Sequence, residues 1–344
     1  KTMKFELLII FFFITIIFII NFFLKKFNIS LDKASTSENH KALLRSDSFT
    51  PISGTYYFLP IILILFYQLD FIIIIFCSLF FLLGLMSDLK IITSYKSRLI
   101  VQFLFLSLLF FISKDIIIDT RIDFIDNLMQ HNLARIIICT FFFMVLINFF
   151  NLIDGVNCLC GLNFLIISFF IYLLVQNENI DFIYYELNIF ILSLLIFLLF
   201  NFFGKNFLGD GAAYGISFFL GYILVKVSLT NSMISPYFVA NLLWYPAFEN
   251  LFSIFRRNIS NKNNYLPDND HLHQLIFKYF KNKNFITTNF LLSSFVGIII
   301  NLILLIIFSI GYIFYNHTII QIILILCGIF LYLISYYSLK NKLK

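Results

Sequence analysis

Charge is the scarcest commodity in this chain: Asp, Glu, Lys and Arg together make up only 12% of its 344 residues, against 61% hydrophobic residues. A soluble domain of this length has too little interior to hide so much apolar side chain, so a water-soluble globule is excluded. Cysteine and proline are also few, at five each. Cys77, Cys139, Cys158, Cys160 and Cys327 mostly sit inside apolar runs and lack metal spacing. They read as small hydrophobes. The alternation of apolar and polar residues that marks a membrane β-barrel is missing as well, because the apolar runs are apolar throughout. No internal repeat or low-complexity linker divides the chain, so residues 1–344 read as a single multi-pass domain. The net charge of +6 gives no support for nucleic acid as a partner.

What is present in quantity is the long apolar run. About 20 apolar residues are needed for a helix to cross a bilayer, and eleven stretches approach that: 5–24, 55–69, 71–86, 99–113, 133–153, 162–175, 183–203, 212–229, 236–254, 287–315 and 318–338. The expected fold is all-α and polytopic. The first stretch has no small-residue cleavage site after it and reads as an uncleaved helix, with Lys1 and Thr2 ahead of a start at Met3. With eleven crossings, alternate connections lie on one side. The set formed by residues 25–54, 87–98, 154–161, 204–211, 255–286 and the tail carries 18 of the 24 Lys and Arg residues. The positive-inside rule puts that set in the cytoplasm, with the N-terminus outside and the C-terminus inside.

The unusual polar segments fall in the same set. Asp210 lies between Gly209 and Gly211, five residues after Lys205. Glycines permit a tight turn and close approach to a ligand, and a carboxylate on such a turn can take a magnesium ion that also binds phosphate oxygens. Asp88 in GLMSDLK, Asp154 in NFFNLIDGVNCLCG, and the stretch RRNISNKNNYLPDNDHLHQ join it. The acids of the opposite set (Asp115, Asp119, Asp123, Asp126, Glu178, Asp181, Glu186) lack adjacent glycine or histidine and read as a solvated face. His271 and His273, two residues apart, cannot face one way if both are helical. Carboxylates at helix ends with cations nearby suit magnesium-dependent phosphoryl transfer, in which position and charge do most of the work.

The order of these motifs resembles the polyprenyl-phosphate N-acetylhexosamine-1-phosphate transferases, the membrane superfamily that includes phospho-N-acetylmuramoyl-pentapeptide transferase. Asn148-x-x-Asn151-x-x-Asp154-Gly155 is similar to that family's NxxNxxDGxDGL segment, and Phe207-Leu208-Gly209-Asp210 to its FMGD segment. Asp268-x-x-His271-Leu272-His273 is similar to DxxHLHH, and Thr50-Pro51-x-x-Gly54 to TPxxGG; the motifs run from about Arg45 to Gln274. The resemblance implies a reaction in which undecaprenyl phosphate attacks a UDP-sugar, UMP leaves, and magnesium or manganese is required. It implies a bacterial inner-membrane enzyme with its site on the cytoplasmic face, initiating glycans such as O-antigen. Asp210 would hold the metal and Phe207 would lie against uracil. Asp88 and Asp154 would organise phosphates or assist deprotonation, and Asn151, Asn157, Arg256, Arg257, His271 and His273 would bind the donor. Residues 262–270 would select the sugar, an N-acetylhexosamine such as N-acetylglucosamine. Dimers occur among similar proteins, so a homodimer is allowed.

Four positions depart from the family pattern: Ser87 stands in place of an acid, Asn157 in place of an acid, Gln274 in place of a histidine and Ile52 in place of an arginine. An inactive relative is one alternative, and a secondary transporter is another. Against the transporter, intramembrane charge is sparse. Glu249 in WYPAFENLF is the exception, and an intramembrane acid is a functional-site candidate.

Overall fold

The computed structural model describes residues 2–32, 50–114, 120–178, 183–259 and 270–343, with side chains from Leu8 onward. Arg45, Asp115, Asp119, Asp181, Asp268 and residues 262–269 of the stretch expected to select the sugar lie outside the described residues.

Thirteen helices are present among the described residues: α1 (Thr2–Lys26), α2 (Gly54–Leu65), α3 (Phe71–Asp88), α4 (Tyr95–Ile112), α5 (Asp123–Met129), α6 (Asn132–Ile153), α7 (Leu159–Asn177), α8 (Tyr184–Phe202), α9 (Gly209–Thr230), α10 (Pro236–Ile259), α11 (Leu272–Asn282), α12 (Asn289–Ile313) and α13 (Thr318–Lys342). Each of the eleven predicted spans is one of them. Nine are long and apolar enough to cross a membrane. The other two are α2, which closes after 12 residues, and α10, which carries Glu249, Asn250, Arg256 and Arg257. The chain is an all-α, multi-pass membrane protein.

The central helix is α9: 83% of its most apolar stretch is buried, against 17% for α1 and α13. It reaches that position through small residues, which let helix backbones approach closely where no hydrophobic force separates helix from lipid. A Cβ on Gly84 of α3 would sit 2.4 Å from the Gly211 Cα, and one on Gly215 would sit 2.2 Å from the Phe81 ring. Both ends of the α3–α9 pair are fastened. At one end Asp70 accepts a hydrogen bond from the Tyr222 hydroxyl at 3.1 Å, with Lys226 Nζ at 3.8 Å. At the other end the Asp88 carboxylate meets the start of α9.

A short antiparallel pair, β1 (Leu31–Asp32) with β2 (Thr50–Pro51), follows α1. Arg135 is almost fully buried in the first turn of α6. It donates to the Phe110, Ser113 and Lys114 carbonyls at the end of α4, where a cation is favourable.

The grouping of connections read from the sequence holds in three dimensions. The end of α1 meets the start of α2 through Ile52 N and Ser30 O at 2.8 Å. The end of α8 meets the starts of α7 and α12 through Asn201 to Cys158 N and Ser294 to Phe202 O. The ends of α10 and α13 meet through Arg256 and Tyr336. The described residues of the singular motifs therefore share one end of the bundle.

Candidate functional site

Two glycines deliver Asp210 to the first turn of α9. Gly209 has φ +82°, the left-handed region that disfavours any side chain, and a Cβ there would lie 2.2 Å from the Ile52 Cγ2 and 2.7 Å from the Asp88 Oδ2. Gly211 packs so tightly that its Cβ would fall 2.0 Å from the Thr55 hydroxyl. The segment before them is held by strand-like bonds. Phe207 N–H donates to the Pro51 carbonyl at 2.9 Å, and the Phe207 carbonyl accepts from Ser53 N–H at 3.1 Å and Gly54 N–H at 3.3 Å. Gly54 is required at this junction because its Cβ would strike the Leu208 carbonyl at 2.2 Å. The two motifs that looked separate in sequence are one joint.

Around Asp210 three elements converge. Oδ1 accepts from the Asn151 side-chain amide of α6 at 2.8 Å. Oδ2 accepts from the Ser87 hydroxyl of α3 at 2.6 Å and from Arg98 Nη1 of α4 at 2.7 Å. Arg98 Nη1 also donates to Ser87 Oγ at 2.7 Å. Asp88 turns to the backbone instead. Its Oδ1 accepts from Asp210 N–H at 3.0 Å and its Oδ2 from Gly211 N–H at 3.1 Å, so it caps α9 with charge placed at the positive end of the helix. A half-buried contact sets the height of Arg98: Asn148 on α6 donates to Gln102, one turn further along α4, at 2.6 Å.

Asp154 ends α6 as its C-cap, three residues beyond Asn151. Cys158 takes a left-handed φ of +64° and opens α7. Asn201 stabilises this turn from α8: its Oδ1 accepts from Cys158 N–H at 2.7 Å, and its amide donates to the Asn206 carbonyl at 2.8 Å. One side chain thus ties the loop of Asp154 to the loop before Asp210. The backbone of Asn157 is held by α12. Its N–H donates to Ser293 Oγ at 2.9 Å, and its carbonyl lies where a Cβ on Gly297 would be.

The histidines arrive from α11. His271 is the N-cap, with extended backbone, and its N–H donates to Gln274 Oε1 at 3.1 Å. The expectation that the pair cannot face one way applies to two helical residues and does not hold here. Because His271 stands outside the helix, its ring stacks on that of His273, with centroids 5.4 Å apart and an interplanar angle of 11°. His273 Nε2 lies against Gly155, where a Cβ would approach it to 2.6 Å, which brings the pair to the Asp154 segment. Glu249, 1% exposed, holds the arrangement. Its Oε1 is 3.0 Å from His271 Nδ1 and accepts from Leu272 N–H at 3.0 Å.

Arg256 is engaged elsewhere. It bonds the Tyr336 hydroxyl at 2.8 Å and pairs with Asp270 at 3.2 Å, tying the residue before His271 to α10 and α13. Arg257 is half-buried on the last turn of α10 and Phe207 is half-buried, while Lys205 is exposed. The sequence reading missed Arg98, the functional role of Ser87, and Asn201. The sequence marks the turn and not the residue: Lys96 and Arg98 are both cations in the first turn of α4, where they oppose the helix dipole.

Among the described residues no group of three or more His, Cys, Asp or Glu is arranged to hold a metal. The residues still fit a magnesium ion of the sparse kind, bound through one or two carboxylates with phosphate and water completing its shell. Asp210 is the acid suited to it, since its partners are side chains that can move aside, whereas the oxygens of Asp88 hold backbone N–H groups of α9.

Comparison with known proteins adds an independent finding. Residues 71–228 match glycosyl transferase family 4, the family of polyprenyl-phosphate sugar-1-phosphate transferases. A comparison with curated proteins gives no match. The matched stretch, just under half of the chain, contains Ser87, Asp88, Arg98, Asn151, Asp154, Phe207 and Asp210. Glu249 and the histidines lie beyond it.

Proposed function

We propose that this glycosyl transferase family 4 protein transfers a sugar-1-phosphate from a UDP-sugar to undecaprenyl phosphate at the face where α3, α4, α6 and α9 meet. A phosphate oxygen of the lipid forms a bond to the phosphorus that carries the sugar. The bond from that phosphorus to the UMP oxygen breaks, UMP leaves, and a lipid diphosphate sugar remains. The observation that carries the reading is the convergence of Asp210, Asn151, Ser87 and Arg98 within hydrogen-bond distance, at the end of the bundle that also holds His273.

One anhydride is exchanged for another, so positioning and charge supply most of the acceleration. Asp210 is the acid that would hold magnesium, which when bound neutralises phosphate charge. Asp88 fixes the backbone of Asp210. Asp154 stands between Asn151 and the histidines, placed to orient the acceptor phosphate or take its proton. His271, oriented by Glu249, and His273 offer ring nitrogens to the donor diphosphate and sugar. Asn157 and Phe207 border the region assigned to the nucleotide. The positive-inside count supports a cytoplasmic face, where nucleotide sugars are found, and a bacterial inner membrane suits the acceptor.

The test uses membranes containing the protein, undecaprenyl phosphate and radiolabelled UDP-N-acetylglucosamine, with and without magnesium, alongside Asp210→Asn. Label entering the lipid phase only with metal, and only in the unsubstituted protein, is the expected result. Transfer from a different UDP-N-acetylhexosamine would keep the mechanism and change the sugar. No transfer from any nucleotide sugar would refute the proposal.

A further inference from the structure

We propose that Arg98 is a displaceable latch on Asp210, competing with a divalent ion for the same carboxylate oxygen, and that Ser87 sets the latch in this chain; the inference rests on the site being the transferase centre. Three observations converge on it. Both oxygens of Asp210 are engaged, Oδ1 by Asn151 at 2.8 Å and Oδ2 by Ser87 at 2.6 Å and Arg98 at 2.7 Å. A cation that binds Oδ2 therefore has to displace Ser87 or Arg98.

Second, the donors on Asp210 bring one positive charge, and the neighbouring acid Asp88 is turned to the α9 backbone. Where the family resemblance puts a carboxylate, this chain has Ser87, a neutral donor that bonds both members of the pair. Arg98 is thus matched to Asp210 one to one. With an acid at position 87, one negative charge would be left over to attract a metal ion. Here the surplus is missing, and the ion loses that attraction.

Third, Arg98 is underused. It directs Nη1 at Ser87 and Asp210, while its Nε–H is buried without a partner. A guanidinium offers five donors in a fork that suits phosphate oxygens. The acceptor that would satisfy the rest is a diphosphate group. On its arrival Arg98 gives up Oδ2 of Asp210 and turns its donors to the phosphate oxygens. Metal and nucleotide therefore bind together, and metal alone binds weakly.

The test is direct metal binding, without turnover. The full chain in lipid nanodiscs is titrated with Mn²⁺ and followed by electron paramagnetic resonance, and binding of UDP is measured by equilibrium dialysis with and without Mn²⁺. Arg98→Gln removes the competing charge and should tighten Mn²⁺ alone by about tenfold, a Coulomb effect reduced by the partial exposure of the pair. Ser87→Asp adds an acid and should tighten it by a similar factor, and Asp210→Asn should abolish it. Arg98→Gln should also weaken UDP binding measured with Mn²⁺. Mn²⁺ affinity unchanged or weaker in Arg98→Gln would overturn the latch. If that variant does not fold, unchanged affinity in Ser87→Asp overturns it equally. Tightened Mn²⁺ with no UDP binding by any form would count against the transferase reading and leave the latch standing.

Discussion

Replacing Asp88 by Asn separates two roles that one carboxylate can have beside a reaction centre. In the structure the two oxygens of Asp88 accept from Asp210 N–H and Gly211 N–H at 3.0 and 3.1 Å. Asparagine keeps one acceptor and turns an amide N–H toward the other backbone donor. The loss is one hydrogen bond to a charged group, about 1.5–3 kcal/mol, together with about 0.3–1 kcal/mol for the negative charge at the helix start. Asp88→Asn should therefore lower stability by about 2–4 kcal/mol, the sum of those two effects. Asp210→Asn leaves the backbone of α9 untouched, keeps a side-chain oxygen for Ser87 and Arg98, and gives up the charge of an ion pair whose side chains are 20% and 23% exposed, which costs about 1 kcal/mol for a pair screened to that degree. Thermal unfolding of the detergent-solubilised protein, with transferase activity measured in parallel, compares the two. The expected pattern is loss of activity in both, with a clearly lowered Tm only in Asp88→Asn. A Tm for Asp88→Asn equal to that of the unsubstituted protein would refute the capping argument and leave Asp88 with a purely chemical role.

Gly209→Ala should inactivate the protein and destabilise it by about 1–2 kcal/mol from the left-handed backbone alone, more if Ile52 and Asp88 cannot move aside; restored activity in a variant carrying Ile52→Ala as well would show that the side-chain clash is the larger part. Glu249→Leu strands the buried Leu272 N–H and frees the His271 ring, costing about 1–3 kcal/mol. Glu249→Gln keeps an acceptor for that N–H, so its Tm should lie above that of the Leu variant, and the reverse order would show that Glu249 does not anchor α11.

Much of the architecture was legible because a bilayer simplifies the problem. An apolar run long enough to cross has nowhere else to go, and charge asymmetry in the loops sorts the connections into two sets. Asp210 was legible because glycines on both sides of an acid are hard to explain otherwise. Arg98 was hidden because, read along the chain, it is one of three cations between Ser87 and Arg98, with Lys90 and Lys96 as equals. Only the pairing of α4 with α6 through Gln102 and Asn148 singles it out. The histidine pair was misjudged for a local reason, since a helix beginning one residue later moves His271 from helix to cap and reverses the geometry. Asn201 gave no signal at all: a lone asparagine at the end of an apolar helix says nothing about which two loops it will join.

The fastening of the α3–α9 pair at both ends bears on how the protein meets membranes of different thickness. At 18 residues, α3 is about 27 Å long, slightly short of a typical hydrocarbon core of about 30 Å. With Asp88 on the first turn of α9 at one end and Asp70 on Tyr222 and Lys226 at the other, the pair cannot slide to change its reach. Being short, it takes up mismatch by thinning the surrounding lipid. Asp88 and Asp210 move as one body, so the spacing within the candidate site is insulated from the bilayer, whereas its depth relative to the headgroups is not. A thicker membrane would draw the candidate site inward and alter the distance that the proposed acceptor phosphate must travel to it, without disturbing the groups around Asp210.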